Sequence, residues 1–332
     1  MEFPALNLLA EAALKQQTKR ALVFNAQAHP LWSVLSQHTD VQCSQTFKPY
    51  ILELEALGLK VCSQFEGEFD LILFVPSKDK KQSLGWMAQA MNHLSDGGKL
   101  MMACENQYGA KSYESALKKL AGATASSSKS KCRLFSAKKT SALNVELQQQ
   151  WLDDAKPQVM ESHGLWAQPG LFSWKKADVG SAMLLKHLPQ LSGKVMDLCC
   201  GYGLLAKHII QHGDDVSALH LVEADSLALA CAVKNVQGFE HVTTHHLDAV
   251  HELLPKHMDA VVCNPPFHTG QVRDVELGQS IVTKACGALT HGGELFLVAN
   301  RQLPYEHILD THLRTFECVA VGDGFKIIRG KK

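Results

Sequence analysis

No apolar run in the chain approaches the roughly 18 residues that a membrane-spanning helix needs, so the sequence offers no spanning segment. The opening MEFPALNLLAEAALKQQ has neither a basic n-region nor a small-residue cleavage site, and does not read as a secretory signal. The ten cysteines form no CxxC pair and sit mostly in apolar runs such as MMAC, LCC, ALAC and VVC. That is the pattern of buried, reduced thiols, and it points to the cytoplasm. Net charge is also lacking, since 33 basic residues balance 33 acidic ones. The balance is uneven along the chain: residues 1–160 hold 18 basic against 15 acidic side chains, and residues 161–332 hold 15 against 18. Within 111–139, Lys111, Lys118, Lys119, Lys129, Lys131, Arg133, Lys138 and Lys139 face only Glu114. Two readings of that stretch stay open, a solvated helix followed by a loop and a phosphate-contacting patch. Four of the 17 histidines bunch in HVTTHHLDAVH, but strand alternation would scatter them and HELLPKH lacks the HExxH spacing. No metal site is expected.

What is present is alternation. In the second half, KVMDLCC (194–200), VSALHLVE (216–223), HVTTHHL (241–247), MDAVVCN (258–264) and ELFLVAN (294–300) read as strands. Between them LLAKHIIQH, closed by Gly213 at C′, DSLALACAVKNVQ, a short turn at VHELL and ELGQSIVTKACGALT read as helical. A last helix, YEHILDTHLRTF, leads into ECVAVGDGFKIIRG, a hairpin turning at Gly-Asp-Gly. Strands separated by helices imply crossover units and a mostly parallel sheet, with the hairpin as an antiparallel edge. The first half is a fainter copy: EFDLILFVP echoes HMDAVVCNP 189 residues on, and SDGGKLMMACENQ echoes THGGELFLVANRQ 195 residues on. An internal duplication accounts for both. The echo carries LVFNAQAHP in place of DLCCGYG and VPSK in place of NPPF, so a repeated first copy would be chemically inert. ATASSSKSK (123–131) reads as a mobile loop. The predicted organisation is two tandem Rossmann-like α/β domains, 1–160 without a cofactor site and 161–332 catalytic.

DLCCGYGLLA places Gly201, Gly203 and Ala206 directly after a strand and at the opening of a helix, and Glu223 closes the next strand. Glycines there allow close approach of a ligand, and the acid accepts from ribose hydroxyls. A dinucleotide would set its pyrophosphate at the helix N-terminus. Asp197, fixed just before the loop, disfavours that anion and suits a cation. With Asp248 at the third strand end to accept from an adenine amine, the three acids favour S-adenosylmethionine over NAD. The adjacent Cys199 and Cys200 read as loop packing, because neighbouring cysteines seldom meet disulfide geometry.

Asn264 ends the following strand, in VVCNPPF, where ligands of such sheets bind. An exocyclic amine of a base is a poor nucleophile, since its lone pair conjugates with the ring. The Asn264 oxygen and the Pro265 carbonyl would accept its two N–H bonds and align the lone pair with the methyl. Pro265 and Pro266 stiffen the turn. Phe267 would stack on a base that is unpaired or flipped out.

DLCCGYG, LVEAD, HLDA and NPPF together resemble class I S-adenosylmethionine-dependent methyltransferases acting on exocyclic amines. With QPGLFSWKKADVGSAMLL (168–185), NPPFHTG, GGELFLVANRQLPY and GFKIIRG, the chain resembles the bacterial ribosomal RNA small subunit methyltransferase C family, which methylates guanine N2. The resemblance carries donor binding over to Gly201, Gly203 and Glu223 and the adenine contact to Asp248; Asp197, Cys199 and Asn264 are expected to complete the donor site. It implies a reactive-amine motif of Asn264, Pro265, Pro266 and Phe267, and a segment with Phe172, Asp178 and Ser181 that covers donor and target base. It also implies a cytoplasmic monomer acting on 16S rRNA in the 30S subunit. Cys199 departs from the family, which usually has glycine there, and this bears on donor affinity. Two alternatives stay open, a guanine-N2 methyltransferase of 23S rRNA and a non-catalytic RNA-binding or assembly protein.

Overall fold

The computed structural model describes residues 3–62, 66–266, 268–269, 272–273 and 275–332. The chain divides into two units, Met1–Lys156 and Pro157–Lys332. The first runs α1 (Pro4–Ala13), β1 (Arg20–Phe24), α2 (Pro30–Leu35), β2 (Asp40–Ser44), α3 (Lys48–Ala56), β3 (Lys60–Cys62), β4 (Phe69–Phe74), α4 (Lys80–His93), β5 (Leu94–Glu105), α5 (Ala110–Ala121), β6 (Ala125–Lys129), β7 (Cys132–Lys138) and α6 (Val145–Asp154). The second opens with β8 (Gln158–Val159), β9 (Trp166–Ala167), α7 (Val179–His187), β10 (Gly193–Leu198), α8 (Leu204–His212), β11 (Val216–Glu223), α9 (Ser226–Asn235) and β12 (Val242–His246). It continues with β13 (Met258–Cys263), β14 (His268–Thr269), β15 (Val272–Arg273), α10 (Val275–Ala288), β16 (Leu289–Asn300), α11 (Glu306–His312), β17 (Thr315–Gly322) and β18 (Phe325–Lys331).

Each unit is built on one seven-stranded sheet. The orders are β3-β2-β1-β4-β5-β7-β6 and β12-β11-β10-β13-β16-β18-β17, the same topology strand for strand. The first five strands of each sheet pair in parallel and the last two are antiparallel, as the expected closing hairpin requires. Central strands are apolar on both faces because both faces are covered. In β1, Ala21 and Val23 join Leu9, Trp32 and Leu54 in one core, while Leu22 and Phe24 join Met87, Leu117 and Trp151 in the other. In β10, Val195 packs with Leu205 and Leu229, and Met196 and Leu198 pack with Ile281 and Leu309. Among the described residues, no helix is long and apolar enough to cross a membrane.

The duplication extends to individual hydrogen bonds. Asp70 accepts from the amides of Lys19 and Arg20, and Asp259, 189 residues later, accepts from that of Lys194. Lys139 Nζ donates to the Leu94 carbonyl (2.7 Å), and Lys332 Nζ donates to that of Leu289 (3.0 Å). The Gly-Gly pairs lie inside long strands and do not precede them as expected. Gly97 and Gly292 have φ of 78° and 80°, and the register shifts beside each pair. A Cβ on Gly98 would stand 2.8 Å from the Ser95 carbonyl oxygen, and one on Gly293 would stand 2.7 Å from that of Met258. The pair is therefore a bulge that brings two backbones together, which only glycine permits.

Three local expectations change. ATASSSKSK contains strand β6, joined to β7 through Ser130 and Lys131 at φ of 51° and 59°. All five β6 residues are exposed, so no apolar alternation marked the strand. VHELL forms a turn and no helix. Gly213 has φ of −69° and is not a left-handed C′; glycine is needed because a Cβ would lie 2.6 Å from the Ile209 carbonyl oxygen and from Val216 Cγ2. The bulge predicts that Gly293→Ala costs about 1–3 kcal/mol by overpacking. Gly292→Ala, facing open space, should cost only about 1 kcal/mol from its positive φ. Urea denaturation of the two variants checks the order.

Candidate active site

Strand β10 ends where Cys199 turns into the left-handed region, at φ 62°. That conformation costs a non-glycine residue roughly 1–2 kcal/mol. It throws the chain across the carboxyl edge of the sheet, through Gly201 (φ 55°) and Gly203 (φ 86°), into α8. The two glycines serve different needs. A Cβ on Gly203 would stand 3.0 Å from Ala232, so this residue lets α8 pack on α9. Gly201 faces open space, and its amide donates to Glu223 Oε2 at 2.7 Å.

An open-sided cleft lies over this loop. Six of the expected residues line it together: Phe172, Asp178, Ser181, Cys199, Gly201 and Asn264. Tyr202, Leu204 and Leu205 add an apolar wall that the sequence did not mark. Phe172 is 64% exposed, so its ring is available at the cleft for stacking. Asn264 follows β13 directly, Pro265 is buried and Pro266 is exposed. Phe267 lies outside the described residues.

The acids sit differently from one another. Asp197 lies beneath the loop and is fully buried. Its Oδ2 accepts from the Ala206 amide (2.8 Å), capping α8 across the loop, while Oδ1 has no partner among the described residues. Burial pushes its carboxyl up to about 7, against the pull of the Ala206 amide, with Glu223 adding repulsion. Glu223 accepts from the amides of Gly201, Ala224 and Asp225, and burial also raises it. No described cation pairs with either carboxylate. A cationic ligand with ribose hydroxyls fits this charge, and the orphaned Asp197 oxygen makes a second anion there costly. Asp248 is turned into its own turn: Oδ1 accepts from the Val250 amide (2.9 Å) and Oδ2 meets His251 Nδ1 (2.7 Å). Asp248, like Asp197, Gly203 and Glu223, does not line the cleft.

Cys199 and Cys200 are not nucleophiles. The hydrogen-bonded Cys263 thiol, with burial, drives Cys199 well above the usual thiol range, and burial does the same to Cys200. Among the described residues, no group of three or more His, Cys, Asp or Glu side chains could hold a metal. His220 and His245 instead pair with each other, Nδ1 to Nε2 at 3.0 Å.

Sequence reasoning missed Asn235. Buried on α9, it donates to the carbonyls of Trp166 (2.8 Å) and Tyr202 (2.7 Å) and accepts from the Trp166 amide (2.7 Å). It thus ties the segment before α7 to the glycine loop. A lone amide in the apolar run ALACAVKN was the available signal.

The first unit shows what the site loses when its chemistry goes. By register, Val23 stands where Asp197 does, and Asn25 where Cys199 does, with φ 49°. Gln45 stands where Glu223 does: its Oε1 accepts from the amides of Thr46 and Phe47, and its Nε2 donates to the Ala26 carbonyl. Val75 replaces Asn264.

Asp197 generates a pH prediction. With a folded value near 7 and an unfolded value near 4, the folded state holds a proton that the unfolded chain has released between those limits. Stability therefore falls as pH rises from about 4 to 7. Asp197→Asn should stabilise the ligand-free protein on the order of 1–4 kcal/mol at pH 8, with the gain fading towards pH 4. Thermal denaturation of both proteins across that range checks it.

The chain matches the family model "Methyltransferase small domain" over residues 162–329 and "Methyltransferase small domain N-terminal" over residues 9–154. It is 30% identical to the ribosomal RNA small subunit methyltransferase C of Alteromonas mediterranea over 262 residues, 78% of this chain and 72% of that one. It is 26% identical to the Haemophilus influenzae protein of the same name, over 89% of this chain and 88% of that one. Its fold matches, with TM-score 0.80 and 24% identity, a T. thermophilus 16S rRNA N2 methyltransferase solved with AdoMet and guanosine, over 99% of this chain and 92% of that one. This chain belongs to the ribosomal RNA small subunit methyltransferase C family.

Proposed function

We propose that the chain transfers a methyl group from S-adenosylmethionine to the exocyclic N2 amine of a guanine in 16S rRNA. The observation that carries the reading is Asn264, held at the carboxyl end of β13 in the wall of a cleft over the glycine loop, which the carboxyls of Glu223 and Asp197 hold through the Gly201 and Ala206 amides. Family membership supplies the substrate class, and the T. thermophilus relative, named for guanine 1207, suggests the corresponding guanine here. Bound over the glycine loop, the donor supplies an electrophilic methyl on a sulfonium. The Asn264 oxygen and the Pro265 carbonyl accept the two N–H bonds of the amine and turn its lone pair towards that methyl. As the new N–C bond forms the S–C bond breaks, and the extra proton leaves the amine for solvent afterwards, so no strong base is needed. Phe172, and Phe267 by its place in the sequence, would stack on a base taken out of its helix. The natural substrate in this reading is the 30S particle, and the protein acts as a monomer. The first unit, with Val23, Gln45 and Val75 at the three chemical positions, is proposed to hold no donor.

Asn264→Ala should bind donor within a few fold of the parent and lose roughly 10²–10³ in turnover, the scale of removing one positioned polar group. Calorimetric donor titration with single-turnover methylation checks the split. Unmodified 16S and 23S RNA, free and in 30S and 50S particles, offered with labelled donor, should label guanine N2 in the 30S particle. Label confined to 23S RNA would assign the large subunit instead. No donor binding would leave only a non-catalytic RNA-binding or assembly role.

A further inference from the structure

We propose that Asp178 and Ser181 set the polarity of the Asn264 amide, so that its oxygen and not its nitrogen is presented to the acceptor amine. The inference rests on the methyltransferase reading above, and makes both residues positioning residues that act through Asn264. Asn264 Nδ2 donates to Asp178 Oδ2 at 3.1 Å and to Ser181 Oγ at 2.7 Å. A carboxylate accepts and cannot donate, so the amide atom facing it must be the NH2. Both of its hydrogens are then spent. What Asn264 has left to offer the cleft is its oxygen, an acceptor, and an amine needs an acceptor there. Turned over, the amide would set its oxygen against the Asp178 oxygen and present donors to a donor.

The carboxylate is itself fixed. Asp178 caps α7, and the same Oδ2 accepts from the Ser181 amide at 2.8 Å. Gly180 makes room for this: a Cβ there would stand 3.1 Å from Asp178 Oδ2 and 3.0 Å from the Phe325 ring. The sequence Asp-Val-Gly-Ser thus joins a helix cap, a tight packing point and two acceptors for one amide. The first unit offers an internal comparison. Its helix α1 packs on β5 and β7 as α7 packs on β16 and β18. There the cap position is Phe3, with no side-chain cap, and the Asn264 position is Val75. The copy without the amide has no capping carboxylate beside it either.

The test removes the carboxylate. In Asp178→Ala the amide keeps only the Ser181 hydroxyl, which can donate or accept, so Asn264 can turn over. Turnover should fall about 10- to 100-fold while KM for the donor stays within about threefold, since the amide orients the acceptor and not the donor. Adding Asn264→Asp leaves an oxygen for the amine whichever way the side chain turns, with the Ser181 hydroxyl donating to the other. The double variant should recover at least about tenfold over Asp178→Ala alone. A loss of packing or capping would not be rescued by a change at Asn264. Unchanged turnover in Asp178→Ala, or a double variant no better than the single, would overturn the inference. Side-chain amide hydrogen exchange at Asn264, assigned by its disappearance in Asn264→Asp, reads the contacts without turnover. Exchange should quicken by about tenfold in Ser181→Ala, and an unchanged rate would count against the role. A parent enzyme that methylates no guanine but retains this protected amide would sink the substrate reading and leave the amide orientation standing.

Discussion

How the first strand of the second unit leaves its sheet decides most of what the site can do. The left-handed turn at Cys199 brings the Gly201 amide to Glu223, sets α8 above Asp197 and opens the cleft beside Asn264. Asn25 makes the same turn in the first unit, where Val23 and Val75 stand in place of Asp197 and Asn264. The backbone reversal therefore belongs to the fold. Asparagine tolerates that conformation better than cysteine, because its short side chain can hydrogen-bond locally. Cys199 instead lies against Cys263 and the buried loop, so apolar packing helps to offset its strain.

Comparing Gln45 with Glu223 separates structure from chemistry in one pair of residues. Both accept from the two backbone amides that follow them, so either side chain shapes the turn. The glutamine uses its NH2 on a carbonyl and carries no charge. The glutamate accepts from Gly201 instead and keeps a negative charge that burial disfavours. With Asp197 below it, the second unit holds two carboxylates that a neutral design would avoid. Such groups are tolerated where a ligand completes them, and both are held against the glycine loop over which the proposed donor would bind.

Much of this was legible in the sequence because alternating apolar runs, the glycine loop and the Gly-Gly echo are local patterns. The strand at 216–223, the strand expected over 258–264 and found over Met258–Cys263, the antiparallel closing hairpin and the grouping of Asn264 with Phe172, Asp178 and Ser181 all followed from them or from the resemblance. What was not legible depends on contacts between distant segments. Nothing in ATASSSKSK distinguishes a loop from an exposed edge strand whose partner, β7, decides the matter. The spacing of Asp248 gave its place at a strand end, but its own turn and His251 decide where its carboxylate points. Asn235 looks like one polar residue on an apolar helix until the Trp166 and Tyr202 carbonyls arrive beside it.

The basic stretch 111–139 shows how a charge count changes once partners are known. Arg133 pairs with Glu114, and at the matching place in the second unit Lys326 pairs with Glu306. Lys139 holds the Leu94 carbonyl as Lys332 holds that of Leu289. Since the duplication keeps both contacts in a unit with no such basic run, these two cations serve the hairpin and its bulge. Lys129 meets Glu11 at 2.8 Å in an exposed pair that solvent and salt screen. Lys111, Lys118, Lys119, Lys131 and Lys138 remain exposed, spread over α5 and the β6–β7 hairpin. Solvation alone accounts for lysines at such places. The fold uses part of the run for its own edge, whereas in the Asn264 cleft the polar groups are held by specific partners and aimed at a ligand's place.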